Sequence, residues 1–318
     1  MRRLALGGAA ALLACAWLPA CATSATATGA TATVATAAAV TPAVVWRAAG
    51  LPQARQLDLA SARTGQHYRI FLSVPDTAPP PAGHPVIYVL DGNAAFPSAA
   101  LMARTVARRS KVTGLHAPVV VGIGYAGAED YDEPARARDY TPPAAGKAGA
   151  GDGGADLFLD FIEQELKPLI QASTPIDTQR QALFGHSYGG LFTLHTLFTR
   201  PAAFQTYVAA SPSIWFAERH VLSEVPGLAA ARQHQPRLLL TVGELEQAAA
   251  PPSAKAGERG AVLAQKKMVD EARDLSVRLE TQKQALGLER VRFIELPREN
   301  HGSALFPALS RGLEFFLE

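Results

Sequence analysis

A serine at position 187 stands where it could act as a nucleophile. It is flanked by Gly185 and Gly189, follows the apolar run 181–184, and precedes apolar residues at helical spacing over 190–198. A serine hydroxyl is a weak nucleophile at neutral pH, so a reactive one projects from a tight strand-to-helix turn toward a base. The two glycines leave room for the crowded backbone of such a turn. We therefore predict that Ser187 is a catalytic nucleophile.

A nucleophilic serine needs a histidine base, and His301 is the best candidate on the C-terminal side. It follows the strand-like run 291–296 and lies in a turn, 299–303, which opens a C-terminal helix. Three other histidines follow Ser187. His195 lies inside the next helix, His220 lies beyond a Ser-Pro-Ser-Ile-Trp segment, and His234 lies in a polar run. Each is predicted to be a packed or solvated residue.

The histidine in turn needs an acid to orient it, and the chain order serine, acid, histidine leaves the interval before His301. The best-patterned strand in that interval is 237–242, and it ends at Gly243. Glu246, three residues after that glycine, is our first candidate for the acid. Glu244 is the second, and a site without a working acid is the remaining alternative.

Ester chemistry also needs two backbone N–H groups that bind the oxygen on which negative charge develops. One is normally the amide that follows the nucleophile, which here belongs to Tyr188. A turn after the apolar run 86–90 provides the other, and Gly92 or Asn93 is its predicted donor.

These residues need a scaffold that brings strand ends together, and the sequence predicts an α/β fold. Strand-like runs alternate with helix-like segments, which favours a mostly parallel sheet with helices on both faces. The predicted strands are 67–73, 86–90, 118–123, 180–184, 206–210, 237–242 and 291–296.

Five ordered motifs over residues 45–318 resemble one family, the α/β-hydrolase esterases that include the catecholate (enterobactin-type trilactone) siderophore esterases. The motifs are Tyr88-Val89-Leu90-Asp91-Gly92-Asn93, Arg136-Ala137-Arg138-Asp139-Tyr140-Thr141-Pro142, Gly185-His186-Ser187-Tyr188-Gly189-Gly190-Leu191-Phe192, Ser211-Pro212-Ser213-Ile214-Trp215 and Glu299-Asn300-His301-Gly302. The resemblance implies an α/β-hydrolase fold, with Ser187 as nucleophile and His301 as base. It also implies a serine esterase that acts on a small-molecule ester.

The resemblance suggests a ferric catecholate trilactone as substrate, which is anionic and aromatic. A matching site would supply cations and ring faces. Arg136, Arg138 and Trp215 are the candidates, with the alternative that the arginines pair with nearby acids and Trp215 belongs to the core. Two other functions stay open: a general carboxylesterase acting on acyl or aryl esters, and a non-catalytic lipoprotein that binds a siderophore or a partner.

The N-terminus has the pattern of an export signal. A short basic start precedes an apolar run from Leu4 to Leu18 and then Leu18-Pro19-Ala20-Cys21, so 1–21 is predicted as a lipoprotein-type signal with Cys21 acylated. Cys15 is a second possible acceptor, and secretion after ordinary cleavage is the alternative. Residues 22–43, rich in Ala and Thr, form a predicted tether, and 44–318 form one catalytic domain. We expect a periplasmic protein that contacts a membrane only through this anchor.

Charge and cysteine content exclude other classes of function. The chain has 30 basic and 28 acidic residues. Removal of residues 1–20 takes away Arg2 and Arg3 and no acid, which leaves a net charge of zero and no support for nucleic-acid binding. The two cysteines both lie in the signal segment, so the body can have no disulfide and no cysteine metal site.

A glycine motif at 122–127 matches a dinucleotide-binding pattern, but the acidic and proline-interrupted stretch after it argues against a phosphate site. No histidine pair has zinc-protease spacing, so we predict no cofactor and no metal. Two stretches rich in Gly, Ala and Pro, 141–154 and 248–260, are predicted as loops near the site or as plain surface.

Overall fold

The computed structural model describes residues 49–318, except for 128, 145, 147 and 248–264. The predicted signal and tether, with Cys15 and Cys21, lie outside the described residues, as does the predicted loop 248–260.

An eight-stranded sheet forms the centre of the unit Gly50–Glu318. The strand order is β1-β2-β4-β3-β5-β6-β7-β8, in which β2 pairs antiparallel with both β1 and β4, and the remaining pairs are parallel. The strands are β1 (Ala54–Ala60), β2 (His67–Ser73), β3 (His84–Leu90), β4 (Val119–Tyr125), β5 (Ile176–His186), β6 (Thr206–Ala210), β7 (Arg237–Gly243) and β8 (Arg290–Leu296).

Helices connect the strands and cover the sheet. The α-helices are α1 (Gly92–Thr113), α2 (Glu133–Tyr140), α3 (Ala155–Phe161), α4 (Lys167–Ser173), α5 (Tyr188–Thr199), α6 (Phe216–Arg219), α7 (Met268–Thr281), α8 (Lys283–Leu286) and α9 (Leu305–Leu317). A π-helical turn, Ile162–Leu166, joins α3 to α4. Short 3₁₀ turns occupy His220–Ser223, Val225–Gln233 and Glu244–Glu246.

Side chains alternate between two hydrophobic layers along each central strand. In β3, Val86, Tyr88 and Leu90 pack with α3 and α5 on one face. Ile87 and Val89 pack with α1 and α9 on the other. Because both faces are covered, every residue of β3 is buried, and the strand is an almost continuous apolar run in the sequence.

The glycine motif at 122–127 has a packing role in this fold. Gly122 and Gly124 lie inside β4, where a Cβ atom would meet the Phe96 side chain at 2.7 Å and the Asn93 Oδ1 atom at 1.9 Å, respectively. These glycines let the start of α1 lie close against the sheet, so the motif is accounted for without a phosphate ligand.

The mostly parallel sheet and the seven predicted strands agree with the structure to within a few residues at each end. The eighth, β1, was missed by the sequence reasoning. It is an edge strand whose residues are mostly exposed, so it lacks the buried alternation that reveals a strand, and its pairing with β2 defines it instead. Among the described residues, no helix combines the length and the apolar character needed to cross a membrane.

Candidate active site

The carboxyl ends of four parallel strands carry the predicted site residues. Ser187 follows β5, Glu246 follows β7, His301 lies beyond the end of β8, and Gly92 comes two residues after β3. Parallel strands end at the same edge of a sheet, so the topology gathers side chains that are far apart in the sequence.

The backbone around Ser187 forms a sharp turn between β5 and α5. Ser187 has a φ of 60° and a ψ of −117°, a conformation that costs on the order of 1–3 kcal/mol in a residue with a side chain. A Cβ atom on Gly185 would meet the Gly189 carbonyl oxygen at 2.1 Å, and one on Gly190 would meet the Ala210 carbonyl oxygen at 2.7 Å. Gly185 and Gly190 therefore make the turn possible, while Gly189 has ordinary clearance.

Ser187, His301 and Glu246 form a continuous chain of hydrogen bonds. The Ser187 Oγ atom lies 3.0 Å from His301 Nε2. On the other side of the ring, His301 Nδ1 lies 2.6 Å from Glu246 Oε2. This is the order nucleophile, base and acid that proton transfer from a serine requires.

The Glu246 carboxylate is completely enclosed and fully hydrogen-bonded. Its second oxygen, Oε1, accepts hydrogen bonds from the Ser211 hydroxyl at 2.5 Å and from the Gly243 amide at 2.6 Å. Burial alone would raise the pKa of Glu246, but the interactions with His301, Ser211 and Gly243 outweigh it and hold the pKa below its ordinary value. The carboxylate is therefore available as an acceptor for His301.

Glu244 has a different position from Glu246. Its exposed carboxylate accepts a hydrogen bond from the Arg298 amide at 2.7 Å. In addition, the Leu245 amide donates to the Glu299 carbonyl oxygen at 2.9 Å. Glu244 thus helps to hold the loop that carries His301, but the structure does not bring it to the imidazole.

His186, which precedes the serine, packs against the base and was not identified from the sequence. The centroids of the His186 and His301 rings lie 4.7 Å apart. Burial, with the neighbouring His301 ring, lowers the pKa of His186 to about 3. The ring next to His301 is therefore uncharged near neutral pH and does not repel a protonated base.

The predicted oxyanion donors occupy the first positions of two helices. Tyr188 opens α5, and Gly92 and Asn93 open α1, so their amides point out of the helix starts toward the sheet edge. A Cβ atom on Gly92 would meet the Gly122 backbone at 2.8 Å. The Asn93 side chain bridges the end of β4, where its Oδ1 accepts from the Tyr125 amide at 2.9 Å. These contacts hold the start of α1 against β4, at the sheet edge that also carries Ser187.

Arg136 borders the site, but its guanidinium is already occupied. It forms a two-pronged ion pair with Asp91, at 2.7 and 3.1 Å, and a further contact with Glu133 at 2.9 Å. The Arg136 side chain is only 6% exposed. Because Asp91 directly precedes Gly92, this ion pair stabilises the loop that carries a predicted oxyanion donor.

Arg138 lies outside the residues that line the candidate cavity. Its guanidinium forms a two-pronged pair with the buried Asp139 carboxylate, at 2.7 and 2.9 Å. For both arginines the geometry therefore matches the alternative in which they pair with neighbouring acids.

A cavity of about 300 Å³ opens above Ser187 and His301. Trp215 and Tyr188 line it, with ring centroids 6.0 Å apart. Lys266 also lines the cavity, and no pattern in the sequence had indicated this residue. The complete lining is Glu133, Arg136, Ser187, Tyr188, Ser213, Trp215, Glu246, Lys266, Met268 and His301. Within the described residues, no group of histidines, cysteines or carboxylates is arranged to hold a metal ion.

Comparison with known proteins identifies the family to which the chain belongs. Residues 61–279, more than half of the chain, match the model of the Esterase family. The chain belongs to the Esterase family. Ferri-bacillibactin esterase BesA of Bacillus subtilis (strain 168) is 40% identical to this esterase over 271 residues, which are 81% of this chain and 88% of the relative. The siderophore triacetylfusarinine C esterase of Aspergillus fumigatus is 37% identical over 288 residues, covering 84% and 94%.

Solved structures of related proteins have the same fold as this esterase. The crystal structure of the BES protein from Bacillus cereus matches with a TM-score of 0.76 and 35% identity, and the match covers 87% of this chain and 100% of that one. The predicted α/β-hydrolase fold is therefore confirmed. The predicted enzyme class, a carboxylic ester hydrolase, is confirmed as well.

Proposed function

We propose that this esterase hydrolyses the ester bonds of a siderophore, most specifically a catecholate trilactone such as enterobactin, by a serine mechanism. The observation that carries the mechanism is the chain of contacts from Ser187 Oγ to His301 Nε2, at 3.0 Å, and from His301 Nδ1 to Glu246 Oε2, at 2.6 Å. The substrate class is supported by two relatives, one named a ferri-bacillibactin esterase and the other a siderophore esterase, whose matches cover more than four fifths of the chain.

In this mechanism Ser187 attacks the ester carbonyl while His301 Nε2 takes the hydroxyl proton. Negative charge then develops on the carbonyl oxygen, and the amides of Tyr188 and of Gly92 or Asn93 are proposed to bind it. The protonated His301 next gives its proton to the leaving alcohol, and the same base activates the water that hydrolyses the acyl-enzyme. In a cyclic triester, the first cleavage opens the ring.

The roles of the two glutamates follow from their contacts. We propose Glu246 as the triad acid, because its carboxylate is buried against Nδ1 and fixes the tautomer in which Nε2 can accept a proton. Glu244 is proposed to act on loop geometry only, through the Arg298 amide.

The dimensions of the cavity favour recognition of one arm of a large substrate at a time. A volume of about 300 Å³ is at the lower end of small-molecule sites. Such a cavity accommodates one aromatic ring with its ester, and the two ring faces of Tyr188 and Trp215 suit that group. The rest of a trilactone would extend beyond the cavity mouth.

The experiment that tests this function combines a substrate panel with a nucleophile variant. Wild-type protein and Ser187→Ala are compared on p-nitrophenyl acetate, on metal-free and ferric enterobactin, and in labelling by a fluorophosphonate. Loss of a triad serine lowers turnover by roughly 10⁶, so the variant should retain neither hydrolysis nor labelling.

Retained labelling of Ser187→Ala would show that another residue is the nucleophile. Wild-type hydrolysis of the p-nitrophenyl ester without hydrolysis of either enterobactin form would support the alternative of a general carboxylesterase. A non-catalytic, binding-only role would require that wild type hydrolyses none of these esters.

We also propose that the mature protein is exported to the periplasm and anchored through a lipid on Cys21. The support is the basic start, apolar run and Leu18-Pro19-Ala20-Cys21 sequence. Metabolic labelling with a palmitate analogue tests it, with Cys21→Ser and Cys15→Ser as a matched pair. Label that survives Cys21→Ser would exclude this position.

A further inference from the structure

Lys266 lies in the cavity of the candidate site with its charge over an aromatic ring. Its Nζ atom is 4.0 Å from the centroid of the Trp215 ring, within the range of a cation–π interaction. The side chain is partly buried, and burial lowers the pKa of Lys266 from its ordinary value. The indole ring therefore holds a partly buried ammonium group at the cavity wall.

The other ionisable groups that line the cavity already have hydrogen-bonded partners. Arg136 is paired with Asp91 and Glu133. Glu246 is bound by His301. Among the residues that the structure describes, no carboxylate lies within ion-pair distance of Lys266. A substrate anion that enters the cavity could therefore bind the Lys266 ammonium without displacing a carboxylate from it.

We infer that Lys266 selects ester substrates with a negatively charged group on the part that enters the cavity, and that Trp215 positions the ammonium for this contact. The chemical class is an anionic aryl ester, such as one bearing a carboxylate or a catecholate oxygen on the ring. This inference rests on the proposed ester hydrolysis at Ser187, and it assigns the charge recognition to Lys266 instead of Arg136 or Arg138.

The test measures the ratio of kcat/KM for two esters that differ in charge and hardly in size, 4-acetoxybenzoate and 4-acetoxybenzamide. Because the contact is charged and the position is partly buried, we expect the ratio to fall about tenfold in Lys266→Met, which corresponds to about 1.4 kcal/mol. Lys266→Arg should restore most of the ratio. Trp215→Leu, which removes the ring beneath the ammonium, should lower it by a smaller factor.

Lys267 provides a matched control, because it is the neighbouring lysine, is exposed and does not line the cavity. Lys267→Met should leave the ratio at its wild-type value. A ratio that stays within threefold of wild type in Lys266→Met, or falls equally in both variants, would overturn the inference.

The two simple esters also separate this inference from the proposed substrate. If enterobactin is not hydrolysed while both acetoxy esters are, the siderophore proposal fails and the role of Lys266 is still measured. If enterobactin is hydrolysed and the ratio is indifferent to Lys266, the siderophore proposal stands and the inference fails.

Discussion

Replacing Glu246 by glutamine should reverse the tautomer of His301. The Gly243 amide and the Ser211 hydroxyl both donate to Oε1, so the amide oxygen of a glutamine stays at that position. Its NH₂ group then takes the place of Oε2, 2.6 Å from His301 Nδ1 in the native enzyme. Because an NH₂ group only donates, Nδ1 must become an acceptor and the ring proton moves to Nε2. That proton faces Ser187, and the base can no longer accept the serine proton.

The expected loss is large because nothing else can replace the carboxylate. The Glu246 side chain is 0% exposed, so water cannot reach Nδ1 from that side. In serine proteases the equivalent acid-to-amide change keeps the geometry and lowers kcat by roughly 10⁴. At about 1.36 kcal/mol per tenfold, this corresponds to about 5.4 kcal/mol of lost transition-state stabilisation. We expect kcat to fall by a factor of this order with little change in KM.

The assay is steady-state hydrolysis of p-nitrophenyl acetate, with Glu244→Gln as the matched control. A glutamine at position 244 can still accept from the Arg298 amide through its oxygen, so we expect a loss below about tenfold there. Near-full activity of Glu246→Gln would mean that Ser187 and His301 work as a dyad. Equal losses in both variants would mean that the two glutamates act only by holding the loops.

Two further predictions concern buried charges. Arg136→Gln leaves the Asp91 carboxylate buried without its partner, which should cost about 3–5 kcal/mol of stability and lower turnover equally on neutral and anionic esters. Calorimetry measures the stability, and the two acetoxy esters measure the turnover. A loss of turnover confined to the anionic ester would contradict this prediction. His195 is enclosed between Asp156 and Glu224, and although burial opposes its charge, these carboxylates raise its pKa to about 9. Its folded pKa lies above the unfolded value of about 6.5, so the stability it contributes is fully present below pH 6.5 and is lost as the pH rises through about 9. Urea unfolding at pH 6.5 and 9.5 measures this. Between these two pH values the free energy of unfolding should fall less in His195→Gln than in wild type, and equal falls in both would refute the raised pKa of His195.

The parts of the fold that could be predicted from sequence are those where one local pattern determines the outcome. The core strands are buried on both faces and appear as apolar runs, and Gly185 before a serine marks a crowded turn. The end of β7 and the turn after β8 could be located in the same way. The sheet topology then brings residues 187, 246 and 301 together, because the carboxyl ends of parallel strands lie at the same edge of the sheet.

The partners of charged side chains could not be predicted in this way, because they depend on the packing of elements distant in the chain. Arg136 in α2 meets Asp91 before α1 across 45 positions, and only the packing of both helices on the sheet decides that contact. The neighbouring Arg138 carries the same charge two residues on and faces Asp139. Sequence proximity of an arginine to a predicted site therefore does not establish that its charge is available to a substrate.

Among the described residues that line the cavity, Lys266 is the cation without a paired carboxylate, and it lies where no motif indicated it. Lys266 lies just before α7, and two packing contacts give it its proposed role. The Trp215 ring lies beneath its ammonium, and the carboxylates near the site are already bound by Arg136, His301 and backbone amides. Lys266 takes no part in the hydrogen bonds that join Ser187, His301 and Glu246, so we expect that replacing it alters substrate preference and leaves those contacts intact.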